Sequence, residues 1–188
     1  MVGSSILPVA FHKNKLYFLF GKENELDNTP GWSDFGGGIE PDESIYNTAI
    51  REGGEELSGF LGDAKQIDKL IKKGGKYVIN HKNEYHCHIF KMDFNESLPK
   101  YYNQSHDFLW KKMDVSNRSS VLFEKIEICW MTVQDMKKNR SKFRSFYQEI
   151  VDHILDEIPN IKRKLCLRKT ACNKSKSLLR KHNVTNKR

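Results

Sequence analysis

Residues Gly37 to Gly59 read GGIEPDESIYNTAIREGGEELSG, and this stretch decides the reading of the chain. Three glutamates, Glu52, Glu55 and Glu56, follow a triple glycine, Gly36-Gly37-Gly38, which reads as a turn. At about 100° per residue, positions 52, 55 and 56 lie within roughly 100° of one another around a helix axis. Like charges so close repel, and an ordinary surface helix would intersperse basic residues to relieve them. A divalent cation held between the carboxylates removes the conflict, and oxygen-only donors suit Mg²⁺ or Mn²⁺. A solvated acidic helix with an Arg–Glu pair is the plain alternative, and the glycines and spacing weigh against it.

Spelled out, the stretch is Gly37, five residues, Glu43, seven residues, Arg51-Glu52, two residues, Glu55-Glu56. It resembles the signature of the Nudix hydrolases, which cleave a nucleoside diphosphate linked to a further group. The resemblance implies a Nudix-type α/β/α sandwich around a mixed sheet, covering about residues 4–158. It implies Glu55 and Glu56 as metal ligands, Glu52 as general base or further ligand, and the Gly37 carbonyl as a metal contact. Arg51 is expected to orient Glu43 and Glu52, while Gly36, Gly37, Gly38 and Glu43 border the phosphate. Members of the family often add a downstream acid. Glu124, in LFEKIEICW, sits six residues before Trp130, as in decapping members; Glu127 is the alternative.

Two features depart from the family pattern. Gly53 stands where an aliphatic residue is usual, followed by Gly54, and each glycine inside a helix costs about 1 kcal/mol relative to alanine. The closing glycine, Gly59, is displaced by one position but still suits a left-handed helix end.

The 188 residues bound the chain to one ordinary domain, expected over residues 1–160. Charge sets the remainder apart. Of 32 Lys and Arg residues, eleven lie from 161 onward, where there is no Asp or Glu; the other 21 face all 24 acids. The body is therefore near −3 and residues 161–188 near +11. Such a segment reads as a basic tail, disordered or helical on binding, that attracts RNA, DNA, polyphosphate or an anionic membrane, or only solubilises or targets the protein. Cys87, Cys129, Cys166 and Cys172 form no C-x-x-C pair, and with His182 they lack a zinc spacing. No apolar run approaches membrane-span length and no signal-peptide pattern opens the chain, so a cytoplasmic, reducing setting is expected.

Along the chain, Ile6–Phe11 and Leu16–Phe20 read as a hairpin, Trp32–Phe35 as a brief strand, and Glu43–Leu57 as a helix burying Ile45, Ala49 and Leu57. Ala64–Lys73 reads as a second helix. Tyr77–Asn80 and Glu84–Phe94 read as strands, with His86 and His88 on a solvated face. Residues 95–120 give no clear element. Glu127–Met131 reads as a strand, Val133–Lys138 as a short helix, and Phe143–Ile158 as one closing helix with Phe146, Ile150, Ile154 and Ile158 as its core stripe.

WSDFGGG and REGGEELSGFLG are similar to segments of Nudix enzymes of large cytoplasmic DNA viruses, a group associated with mRNA decapping and with hydrolysis of diphosphoinositol polyphosphates. That similarity implies a phosphoanhydride substrate, with capped RNA foremost. On that reading the tail holds RNA backbone and an aromatic among Trp32, Tyr101, Tyr102 and Trp110 stacks on the methylated guanine. An inositol pyrophosphate, another nucleoside diphosphate derivative, and a non-hydrolytic RNA-binding module stay open.

Overall fold

The computed structural model describes residues 2–114 and 123–166. Two tight hairpins organise the sheet. β1 (Gly3–His12) and β2 (Lys15–Glu23) are joined at Lys13-Asn14, both with positive φ, and β5 (Lys76–His81) and β6 (Tyr85–Lys91) at Lys82-Asn83 in the same way. Two-residue loops of this hand match the twist of the flanking strands. β3 (Trp32–Ser33) pairs with β2, β4 (Phe35–Gly38) with β1, and β7 (Lys125–Thr132) with β2, completing a seven-stranded mixed sheet. The pairing of β1 with β6 is parallel and the others are antiparallel.

Both faces of the sheet are covered, because alternate residues of its central strands are apolar on each side. On one face, Ile6, Leu19 and Phe90 pack with α1 (Ile45–Glu56), α2 (Ala64–Gly74) and α3 (Ser97–Lys112) through Ala49, Leu57, Ile67, Ile71, Leu98 and Tyr102. On the other, Leu7, Val9, Phe18 and Ile89 meet α4 (Val133–Lys138), α5 (Tyr147–Asp156) and α6 (Ile158–Cys166). This is the expected α/β/α sandwich.

Several expectations are revised. Gly36–Gly38 is not a turn: the three glycines are the extended edge of β4, hydrogen-bonded along Gly3–Ser5 of β1. α1 begins at Ile45 after the Ser44 cap, and Ile45 is exposed, leaving Thr48, Ala49 and Gly53 on the buried side. Residues 97–112 form α3, whose buried Leu98, Tyr102 and His106 recur every four residues, with Pro99 tolerated in the first turn.

The expected closing helix, Phe143–Ile158, is present as the shorter α5, and a further helix, α6, follows it. Arg144 N–H bonds to the Trp32 carbonyl, holding residues 143–144 out of helix, and Pro159 brings a break between α5 and α6. Phe146 precedes α5 and is 49% exposed, so it leaves the core stripe. α6 carries Ile161 and Leu165 into the core, so the folded body runs past residue 160. The remaining tail, with Cys172 and His182, lies outside the described residues. His88 is buried too, because β6 is covered on both faces.

Candidate active site

α1 carries the carboxylates to the start of β1 and the glycine strand. Its N-terminus is fixed by Ser44, whose hydroxyl accepts the Asn47 N–H at 3.2 Å. Its far end turns away through Ser58 and Gly59, both with positive φ. Gly53 lets the helix approach the sheet: a Cβ there would stand 2.2 Å from Ile6 Cδ1. The glycine strand is glycine for the same reason. A Cβ on Gly36 would lie 2.3 Å from Ser5 Cβ, and one on Gly37 would lie 2.5 Å from Glu52 Oε1. The Glu52 carboxylate thus rests against the Gly37 backbone.

The three helix glutamates occupy different environments. Glu55 is open to solvent and Glu52 half-buried. Glu56 is buried, and its Oε2 accepts the Gly36 N–H at 2.8 Å. Arg51 ties Glu52 and Glu55 to Glu43. Its Nε and Nη2 donate to Glu43 at 3.0 Å each, while Nη1 reaches Glu52 Oε1 at 2.8 Å and Glu55 Oε2 at 3.1 Å. The bidentate grip of Arg51 draws the Glu43 carboxyl down to about 2. Desolvation pushes Glu52 up, and Arg51 opposes it. Burial likewise pushes Glu56 well above its ordinary value, with Glu23, Glu124 and Glu52 adding to the effect and Lys125 opposing it.

Glu124 is brought to this cluster. It immediately precedes β7, its carbonyl accepts the Asn24 N–H at 2.9 Å, and its pKa is raised first by desolvation and then by Glu52 and Glu23. Glu127 instead sits within β7 opposite Lys22.

Three participants escape the sequence reading. Lys125 is buried, with Nζ against Glu23 Oε1, 2.8 Å from Ser33 Oγ and 3.3 Å from Glu56 Oε1. Arg144 Nη1 donates to the same Glu23 oxygen at 2.6 Å. Burial works against the charge on Lys125, but Glu56 and Glu23 outweigh it and push its pKa up. Glu23 and Lys125 are 102 positions apart, so no local pattern announces the pair.

A groove of about 580 Å³ borders the glycine strand, lined by Gly36–Gly38, Tyr85, Lys82, Phe146 and Glu149 among others. Its charged lining is balanced, with Lys82 and Arg144 against Glu84 and Glu149. Of the aromatics considered for stacking, Tyr102 is buried, Trp32 and Trp110 are half-buried and Tyr101 is exposed; none lines this groove.

Among the described residues no three acidic, His or Cys side chains stand in a finished ion-binding geometry. The donor set nevertheless fits a hard divalent ion. It is all oxygen, and one Arg51 nitrogen bridges Glu52 and Glu55, so these carboxylates lie close enough to share a cation.

An α/β/α sandwich with a carboxylate helix against a glycine strand defines the class, and comparison agrees. The family model described as NUDIX domain matches residues 5–154, and the chain belongs to that family. Its class is therefore that of the pyrophosphohydrolases. Among solved structures, a C. elegans Ap4A hydrolase binary complex matches with TM-score 0.50 and 15% identity, over 84% of this chain and 96% of that one. A bifunctional NMN adenylyltransferase/ADP ribose pyrophosphatase from Francisella tularensis, complexed with AMP and a manganese ion, matches with TM-score 0.50 and 18% identity. That match covers 83% of this chain and 41% of the larger enzyme. At such identities the likeness speaks for the fold. No curated protein sequence matches the chain.

Proposed function

We propose that the protein is a Mg²⁺- or Mn²⁺-dependent pyrophosphohydrolase that removes the cap of mRNA, releasing methylated GDP and 5′-phosphate RNA. The observation that carries the hydrolase reading is the Glu52 carboxylate against Gly37, with Glu55 sharing the Arg51 nitrogen. Glu52, Glu55, Glu56 and the Gly37 carbonyl are the proposed metal donors. When bound, the ion supplies an acidified water and neutralises charge on the phosphates. Glu52, seated against the Gly37 backbone and oriented by Arg51, accepts the proton of the attacking water, and Glu124 is a second acceptor. The side-chain-free backbone of Gly36–Gly38 admits the phosphates, and Arg51 holds the orientation of Glu43, Glu52 and Glu55.

Two observations favour capped RNA within this class. The groove beside the glycine strand offers the exposed Phe146 ring and a balanced charge, which suits a nucleobase better than a highly phosphorylated inositol. Residues 161–188 hold eleven bases and no acid, which suits an RNA backbone. A free nucleotide substrate is the second reading, favoured by the same groove. The setting on this reading is cytoplasmic, the host cytoplasm if the chain is viral; among the described residues no helix is long and apolar enough to cross a membrane. Gly53, which departs from the family pattern, has its own explanation in the fit against Ile6 and gives no support to a non-hydrolytic module.

The test is incubation with cap-labelled RNA, nucleotides and inositol pyrophosphates in Mg²⁺ and Mn²⁺, with Glu55→Gln and Glu56→Gln as controls. Labelled methyl-GDP is expected from the wild type and not from the variants. Truncation after Cys166, which spares the buried Ile161 and Leu165, should abolish salt-sensitive RNA turnover and keep turnover of small substrates. Equal release by wild type and variants, or none from either, defeats the proposal.

A further inference from the structure

Behind the carboxylate helix lies a row of alternating charges: the partly exposed Arg144, then the buried Glu23, Lys125 and Glu56. Lys125 is 1% exposed, and its ammonium touches three oxygens, from Glu23, Ser33 and Glu56. The room for its stem is built in. A Cβ on Gly21 would stand 2.8 Å from Lys125 Cδ. The backbone at its base is tied to the metal helix as well, since the Tyr102 hydroxyl lies 2.7 Å from the Glu56 carbonyl and 2.9 Å from the Lys125 carbonyl.

Two carboxylates and a hydroxyl around one buried point are oxygen donors of the kind that hold a divalent cation. Here a fixed ammonium fills that point. We propose that Lys125 is a built-in cation that stands in for a divalent ion between Glu23 and Glu56, and so confines metal binding to the group of Gly37, Glu52, Glu55 and Glu56 and keeps Glu23 out of it. Glu56 is held on its inner side by Lys125 and at its other oxygen by the Gly36 amide, so Lys125 is also a positioning residue for it. Glu23, although it belongs to the same cluster of carboxylates, is withheld from the metal by two cations, Lys125 and Arg144.

This inference rests on the reading of the site as a divalent-ion centre. Manganese binding therefore decides it, with activity as a secondary readout. Metal-free wild type, Lys125→Met and the double variant Lys125→Met/Glu23→Gln are titrated with Mn²⁺ by calorimetry and by electron paramagnetic resonance, with and without a non-hydrolysable pyrophosphate analogue. Lys125→Met keeps the stem and leaves Glu23 and Glu56 facing an emptied point. It should bind one more Mn²⁺ per chain than wild type. The double variant has lost the second carboxylate and should return to the wild-type count. Should Lys125→Met unfold in chelator, Mn²⁺ is expected to restore its thermal transition, because the ion replaces the missing charge. The idea is overturned if Lys125→Met shows the wild-type count, if the double variant also gains an ion, or if Lys125→Met stays unfolded in saturating Mn²⁺. A wild type that takes up no Mn²⁺ under any of these conditions sinks the metal-dependent reading itself, a different result from all of these.

Discussion

Gly53 faces Ile6 so closely that a Cβ on the glycine would lie 2.2 Å from Ile6 Cδ1, whereas the nearest atom to a Cβ on Gly54 is Ile67 Cδ1 at 3.7 Å. The two adjacent glycines therefore have opposite consequences. Gly53→Ala forces the buried Ile6 side chain to move and should cost about 1–3 kcal/mol through overpacking. Gly54→Ala meets only ordinary contacts and should gain up to about 1 kcal/mol from helix propensity. Urea unfolding of the two variants checks the pair, and equal effects would contradict the packing argument.

His88 is buried with neither ring nitrogen hydrogen-bonded, and desolvation lowers its pKa to about 4. The folded state therefore favours the neutral ring. Its share of stability is complete above the unfolded pKa near 6.5 and drains away as pH falls toward 4. The loss is on the order of 3 kcal/mol. Thermal melts from pH 7 to pH 4 should show this decline in the wild type and a shallower one in His88→Phe.

Glu43 is drawn down to about 2 by Arg51, so its contribution has the opposite origin and a lower window. The carboxylate stabilises the fold above its unfolded pKa, about 4.3, and this support vanishes as pH falls through about 2. Glu43→Gln should therefore be less stable than wild type at pH 7, with the gap closing by pH 2. Denaturant midpoints at the two pH values measure it.

Glu52→Gln removes the proposed proton acceptor while the Gly37 contact and one Arg51 hydrogen bond can persist. kcat should fall about 10²- to 10⁴-fold with little change in melting temperature. Retention of wild-type turnover would transfer the role to Glu124, a reassignment that Glu124→Gln then tests.

Phe146→Ala removes the exposed ring beside the glycine strand. Loss of stacking should weaken binding of nucleoside-bearing substrates by about 1–3 kcal/mol, seen as a raised KM with kcat nearly unchanged. Inositol pyrophosphate turnover, where detectable, should be indifferent to the change.

What was legible in the sequence was what depends on local spacing. Glu52, Glu55 and Glu56 share a helix face because of helix geometry alone, Arg51 lies within reach of Glu43 and Glu52, and the apolar runs flanking Lys13-Asn14 declare a hairpin. Leu98, Tyr102 and His106 also carried a four-residue spacing, but among polar neighbours it was too faint to mark α3.

Tertiary structure decided whatever depends on residues far apart in the chain. Gly36–Gly38 look like a turn until β1 pairs with them, after which they are an edge strand whose missing side chains make room for Ser5 and Glu52. His88 lies on a solvated face only if a strand has one, and β6 has none. The charges behind the site come from positions 23, 125 and 144, which no periodicity connects. Burial and long-range electrostatics arise only when separate elements close around the same volume, so no local window can hold them.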